Sequence, residues 1–193
     1  SAMYMDLYDD PDAVKGAARE IAATLKDYAE ALCDAGVDAI MWDTLFASGS
    51  IMSKDMWVEM ESGLMRELSA AVRAKGCMNM IHNCGEKIYF DVQIDAIQPA
   101  AISFLYPPDD CKDFAECKAK YGDKVTLIGC VPPTNVVLGT DKEWDQICRD
   151  QIDAMAKGGG FMLATGCEFP SGAPLDRAKR MVDVARTYGA YHH

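Results

Sequence analysis

Two rhythms of apolar residues alternate along this chain. Stretches with apolar positions at helical spacing are followed by short unbroken apolar runs of strand length. The first helical stretch, Asp12 to Ala35, follows Asp10-Pro11, where Asp10 is placed to cap and Pro11 is preset for the first turn. Gly36 stops it, and Asp38 to Asp43 reads as a strand. Ser53 caps a second helix that runs to Lys75 and stops at Gly76, and Cys77 to His82 is the second strand. A helical turn over Glu86 to Val92 precedes a third strand region, which begins at Asp95 to Gln98 and extends to Phe104. Asp109 or Asp110 caps a helix to Tyr121, ended by Gly122, and Lys124 to Gly129 is the fourth strand. Thr140 and Glu143 form a capping box for a helix to Lys157. Gly160 to Thr165 is the fifth strand, and Pro174 to Tyr188 is the closing helix.

Six helices therefore alternate strictly with five strands. Strands that are continuously apolar are buried on both faces, which is the mark of a parallel sheet and an α/β fold. An open doubly wound sheet and part of a (β/α)8 barrel share this pattern, and periodicity does not separate them. No linker, low-complexity tract or charge block divides residues 1–193, which read as a single domain or part of one. Gly158-Gly-Gly160 precedes a strand instead of following one, so it reads as a helix stop and not as a phosphate-cradling loop.

Composition narrows the picture. At 193 residues the chain suffices for one well-cored domain. A complete (β/α)8 barrel usually needs roughly 200 to 250 residues or more. Half the residues are hydrophobic (50%) and a quarter charged (25%), which excludes disordered and coiled-coil classes. No apolar run approaches the roughly 20 residues of a membrane-spanning helix. No basic stretch followed by an apolar one opens the chain, so no signal peptide is expected, and Ser1-Ala2-Met3 reads as a cloning remnant. The net charge is −11 and the few basic residues are scattered, so binding to nucleic acid or to an anionic membrane is not expected. Eight cysteines without a secretory signal read as reduced thiols, and the expected location is cytoplasmic. Cys33, Cys77 and Cys148 lie in apolar runs and read as core, as do Cys111 and Cys117 near one helix.

Cys84 and Cys167 differ. His82-Asn-Cys-Gly85 follows the second strand and Thr165-Gly-Cys-Glu-Phe-Pro170 follows the fifth. In parallel α/β folds the C-terminal strand ends share one face, where substrate sites are built. Residues 82 and 84 project to one side of an extended backbone. His82, Cys84 and Cys167 can therefore converge from two strands. One imidazole and two thiolates suit zinc, and with no obvious fourth Cys or His a coordination position stays open, as a catalytic zinc requires. Taken singly, each has a plainer role: a hydrogen-bonded strand histidine, or a buried thiol. His192 and His193 read as tail residues. Glu168 is a fourth ligand, a carboxylate that orients the others, or a cap for the next segment. Asp43 lines the pocket or caps the 44–53 loop. Trp42, Phe46 and Met52 read as core or loop packing.

Several segments together resemble a known family. Ala35-Gly-Val-Asp38 with Asp43-Thr-Leu-Phe-Ala-Ser48 is similar to an AGAD strand and its aspartate-to-serine loop. His82-Asn-Cys-Gly85 is similar to an H-x-CG motif, Gly129-Cys-Val-Pro-Pro133 to a G-N-V-x-P turn, and Gly166-Cys-Glu-Phe-Pro170 to a GCE-x-P motif. These are segments of the C-terminal portion of the uroporphyrinogen decarboxylase superfamily. The H-x-C and GCE-x-P pair resembles its corrinoid-dependent, zinc-containing methyltransferase branch. Cys130 stands where the family turn has Asn, and Glu86 where Asn or Asp follows the H-x-CG motif.

The resemblance implies a (β/α)8 barrel, here incomplete and comprising its last five strands, with the N-terminal strands absent. It implies zinc held by His82, Cys84 and Cys167, a methyl group moved from methylcobalamin or a corrinoid protein, and a small thiol such as coenzyme M as acceptor. The thiol would fill the fourth zinc position and attack the methyl group as thiolate. Exposed barrel edges imply that the chain either self-associates as a homo-oligomer or closes its sheet differently. The alternatives are a tetrapyrrole decarboxylase, which needs no metal, and a non-catalytic fragment that binds metal or corrinoid.

Overall fold

Residues 2–190 are described by the structure, a computed structural model; the tail histidines His192 and His193 lie outside the described residues. The chain runs α1 (Ala2–Asp9), α2 (Pro11–Asp34), β1 (Ala39–Asp43), α3 (Lys54–Trp57), a π-helical segment (Val58–Ser62) and α4 (Gly63–Ala74). Then follow β2 (Met78–Asn83), α5 (Phe90–Ile97), β3 (Ala101–Phe104), α6 (Phe114–Tyr121) and β4 (Thr126–Val131). The remainder is α7 (Pro133–Leu138), α8 (Asp141–Met155), β5 (Phe161–Thr165) and α9 (Leu175–Thr187).

Most boundaries expected from sequence hold, and for the expected physical reasons. Asp10 accepts from the Ala13 N–H at 3.1 Å and Ser53 from the Met56 N–H at 3.3 Å. Thr140 and Glu143 complete the capping box. Gly36 and Gly76 take φ of +96° and +80°, which only glycine adopts without strain. Gly158, Gly159 and Gly160 all have positive φ and turn the chain into β5.

Four expectations need correction. Helix α1 and the short α7 carry no strong periodicity, and the sequence reading missed both. Residues 95–98 are not strand. Helix α5 continues to Ile97 and ends where Gln98 takes a left-handed φ of 52°, so β3 starts at Ala101. Asp113, not Asp109 or Asp110, caps α6, accepting from the Glu116 N–H at 2.8 Å. The helix expected over 53–75 is interrupted by the π segment.

The five strands form one wholly parallel sheet in the order β1-β2-β3-β4-β5. That order decides between the two topologies. A doubly wound sheet reverses strand order at its centre to place helices on both faces. A sequential order with right-handed crossovers places every helix on one face, as in a barrel. Burial agrees. Ile40 and Trp42 of β1, Ile81 of β2, Ile102 and Phe104 of β3 and Leu127 of β4 are buried beneath the helices. Met41, Met78 and Met162, which alternate with the helix-facing positions, are 50%, 50% and 55% exposed on the opposite face.

The core lies between sheet and helices and includes the fully buried Trp57, Phe90, Phe104, Tyr121 and Trp144. Phe90 meets the edges of Phe104 and Tyr121 at 5.0 and 5.3 Å between ring centres. Trp42 Nε1 donates to Asn79 Oδ1 at 2.8 Å, and Asn79 Nδ2 donates to the Ser69 carbonyl at 3.0 Å. That chain satisfies the polar atoms of Trp42 and Asn79 and ties the sheet to α4.

Candidate metal centre

The end of β2 alternates its side chains. His82 points to the open face, Asn83 to the helices, and Cys84 to the open face again. Asn83 is fully buried, and Asn83 Nδ2 donates to the carbonyls of Thr44 and Ala47 at 2.7 and 3.3 Å. Asn83 Oδ1 accepts from the Gly85 N–H at 3.0 Å. One buried amide thus ties the loop after β1 to the turn that carries Cys84. Gly85 follows because the space is taken: a Cβ there would lie 2.4 Å from Ser48 Oγ. Ser48 is itself held by donating to the Leu45 carbonyl at 2.7 Å.

The second contribution comes from β5. Thr165 Oγ1 donates to the Cys167 carbonyl at 2.7 Å, and the Gly166 N–H donates to the Val131 carbonyl at 2.9 Å. A Cβ at Gly166 would meet Leu105 at 2.6 Å, so the loop leaves β5 pressed against the segment after β3.

These anchors bring the predicted residues together. One ligand atom from each of His82, Cys84 and Cys167 lies within 4.8 Å of the others, and all three residues are half-buried. In a flat sheet with strands about 4.8 Å apart, β2 and β5 would be separated by roughly 14 Å. Their convergence is the curvature of a barrel wall. Glu168, next to Cys167, is exposed and outside this set. Asp43 pairs in register with His82 and is exposed on the same face. The 44–53 loop is tied down by Asn83 and Ser48.

The electrostatics of the pair are distinctive. Burial pushes the Cys84 thiol up to about 11, and the hydrogen-bonded Cys167 thiol and the Asp43 carboxylate act in the same direction. Cys84, with a second thiol and a carboxylate nearby, resists ionisation unless a cation joins the site. Half-buried soft donors of this kind suit zinc. The remaining cysteines are free thiols too. Burial raises Cys33 to about 11 and Cys148 to about 12, as expected of core thiols.

A second convergence, Asp91, Asp109 and Asp110, is already engaged by two lysines and a tyrosine. Lys54 Nζ lies 3.1 Å from Asp91 and 3.0 Å from Asp109, and Lys120 and Tyr121 engage Asp110 at 2.7 and 2.5 Å. Two polar residues of the centre escaped the sequence reading. Asn83 was marked only by lying between two candidate ligands. Ser103, whose Oγ lies 3.1 Å from His82 Nδ1, gave no signal, because its place opposite His82 depends on strand register.

Known proteins share this arrangement of elements. A methylcobamide:CoM methyltransferase MtaA of Methanosarcina barkeri is 27% identical over 168 residues, covering 84% of this chain and 45% of that protein. The MtaA of Methanosarcina barkeri strain Fusaro / DSM 804 is 26% identical over the same length and coverage. A solved structure of a methyltransferase from Methanosarcina mazei matches with a TM-score of 0.77 at 19% identity, covering 97% of this chain and 53% of that one. The chain therefore spans about half the length of these relatives. The uroporphyrinogen decarboxylase (URO-D) family pattern matches residues 1–188, and the chain belongs to that family.

Proposed function

We propose that this chain carries the zinc centre of a methyltransferase that moves a methyl group from a methyl-corrinoid, free or protein-bound, to a small thiol such as coenzyme M. The single observation that carries this reading is the convergence of His82, Cys84 and Cys167 within 4.8 Å from two separate strand ends. The likeness to methylcobamide:CoM methyltransferases supports the substrate pair.

Bound zinc supplies a cation that keeps an added thiol as its thiolate at neutral pH, a better nucleophile than the thiol. The chain's own residues do the remaining work. His82 donates a neutral nitrogen, and Cys84 and Cys167 donate thiolates, whose two charges leave the centre electron-rich. Asn83, Gly85 and Thr165 hold the two ligand loops. Asp43 lines the space that the acceptor enters, and Glu168 stands beside Cys167 to complete or orient the ligand set. The open face over the strand ends is where a corrinoid protein would present its methyl group. Among the described residues no helix is long and apolar enough to cross a membrane, and we place the activity in the cytoplasm, where thiols stay reduced.

Metal analysis coupled to demethylation of methylcobalamin tests the reading. About one zinc per chain is expected for such a site, and it should be lost in Cys84→Ser and Cys167→Ser. Full metal content in either variant would sink the proposal. A metal-free chain that binds porphyrin would favour the decarboxylase instead. A chain that holds zinc but demethylates nothing at any thiol concentration would be a binding fragment.

A further inference from the structure

The open face carries one polar row across three strands. In register, Asp43 of β1 stands beside His82 of β2, and His82 beside Ser103 of β3. The row continues into Ile128 and Met162, which are apolar. His82 therefore has a carboxylate residue on one flank and a hydroxyl on the other. The carboxylate of Asp43 acts on Cys84. The hydroxyl of Ser103 meets the imidazole, with Oγ 3.1 Å from Nδ1. Nε2 has no hydrogen bond among the described residues.

A neutral imidazole holds one proton, and only the nitrogen without it has a lone pair for a metal. Two arrangements satisfy the Nδ1 to Oγ contact. In one, Ser103 donates its O–H to Nδ1, the proton sits on Nε2, and neither nitrogen can bind metal. In the other, Nδ1–H donates to Ser103 Oγ, and the Nε2 lone pair is free. Only the second leaves a nitrogen lone pair free to join Cys84 and Cys167 as a ligand set while Nδ1 keeps its contact to Ser103. A neutral hydroxyl also suits the charge of the centre. A carboxylate in its place would add a further negative group to the two thiolates and Asp43, whereas serine orients the ring without adding charge.

We propose that Ser103 is the positioning residue for the metal centre: its Oγ accepts Nδ1–H of His82, fixes the ring plane and tautomer, and assigns Nε2 as the ligand atom. This inference rests on the metal reading above. Phe104 and Ile102 face the helices, so a one-residue slip of β3 against β2 would replace the hydroxyl with an apolar side chain. The assignment is thus built into the register of the sheet.

The test compares wild type, Ser103→Ala and Ser103→Thr, each with His192 and His193 replaced by alanine so that His82 gives the sole imidazole signals. Zinc affinity is measured by competition with a chromophoric chelator, and the His82 tautomer by long-range ¹H–¹⁵N correlation on the metal-free protein. Loss of such an outer partner costs roughly 10- to 100-fold in metal affinity. That loss is expected for Ser103→Ala, with recovery to within a few-fold in Ser103→Thr. Metal-free wild type should show the proton on Nδ1, and Ser103→Ala a mixture of tautomers. Wild-type affinity in Ser103→Ala, or a wild-type proton on Nε2, overturns the assignment and leaves the metal reading standing if Cys84→Ser still loses zinc. A wild-type chain that binds no zinc overturns both.

Discussion

Asn83 and Gly85 show how two residues without metal-binding chemistry shape a metal centre. Asn83→Ala leaves the buried Gly85 N–H without its partner, while the Thr44 and Ala47 carbonyls keep the backbone N–H groups of Ala47 and Tyr89. An unsatisfied buried polar group costs about 1–3 kcal/mol, so urea unfolding should show a loss of that size with lowered zinc occupancy. An unchanged midpoint would show that water replaces the amide. Gly85→Ala pushes a methyl group to 2.4 Å from Ser48 Oγ, and Ser48 has little room because it bonds the Leu45 carbonyl. Overpacking of this kind costs about 1–3 kcal/mol. Adding Ser48→Gly should relieve the clash, so that the double variant is more stable than the two single losses sum to. Strict additivity in that cycle would exclude the contact as the cause. At this scale the sequence was informative about ligands and silent about their supports. Cysteine and histidine announce their chemistry by type, whereas Asn83 and Ser103 acquire theirs from neighbours distant in the chain.

Elements were legible where their signals are local. Asp10, Ser53 and the Thr140–Glu143 box cap the helices they precede, because a cap needs only the next three residues. Signals failed where tertiary partners competed. Asp109 and Asp110 look like caps but are committed to Lys54, Lys120 and Tyr121, which leaves capping to Asp113. Val92, Ile94, Ala96 and Ile97 suit helix and strand alike, and burial of Phe90 and Ile97 against the sheet resolves them as helix. The π segment at Val58–Ser62 sits where fully buried Trp57 donates from Nε1 to Glu61 Oε2 at 2.9 Å. Burial raises the Glu61 carboxyl above its ordinary 4.5, against the opposing Trp57 hydrogen bond. A raised carboxyl favours the folded state while protonated, and that contribution is lost as pH rises through the folded-state value. Glu61→Gln keeps an acceptor for Trp57 and removes the ionisation. It should therefore raise the melting temperature at pH 7 and give no gain near pH 4. An equal gain at both values would point to packing instead of charge.

The whole molecule is a curved parallel sheet with helices on one side and an open, methionine-rich face on the other. Among the described residues, β1 and β5 are edge strands with free backbone groups. Such edges and an apolar face favour association. Sedimentation velocity should show the weight-average size rising with concentration, and Met41→Lys with Met162→Lys should lower it. A single monomer-sized species at every concentration would argue that the face is self-sufficient. The α/β class, the alternation of five strands with helices and the three candidate ligands were determined by the sequence alone, because periodicity, caps and donor chemistry are written in neighbouring residues. The choice of barrel wall over doubly wound sheet, the meeting of Cys167 with His82 and Cys84, and the pairing of His82 with Ser103 were decided only by tertiary structure. Each depends on strand order, curvature or register, which are set by burying the helix-facing side of every strand at once, and no local stretch of chain carries that information.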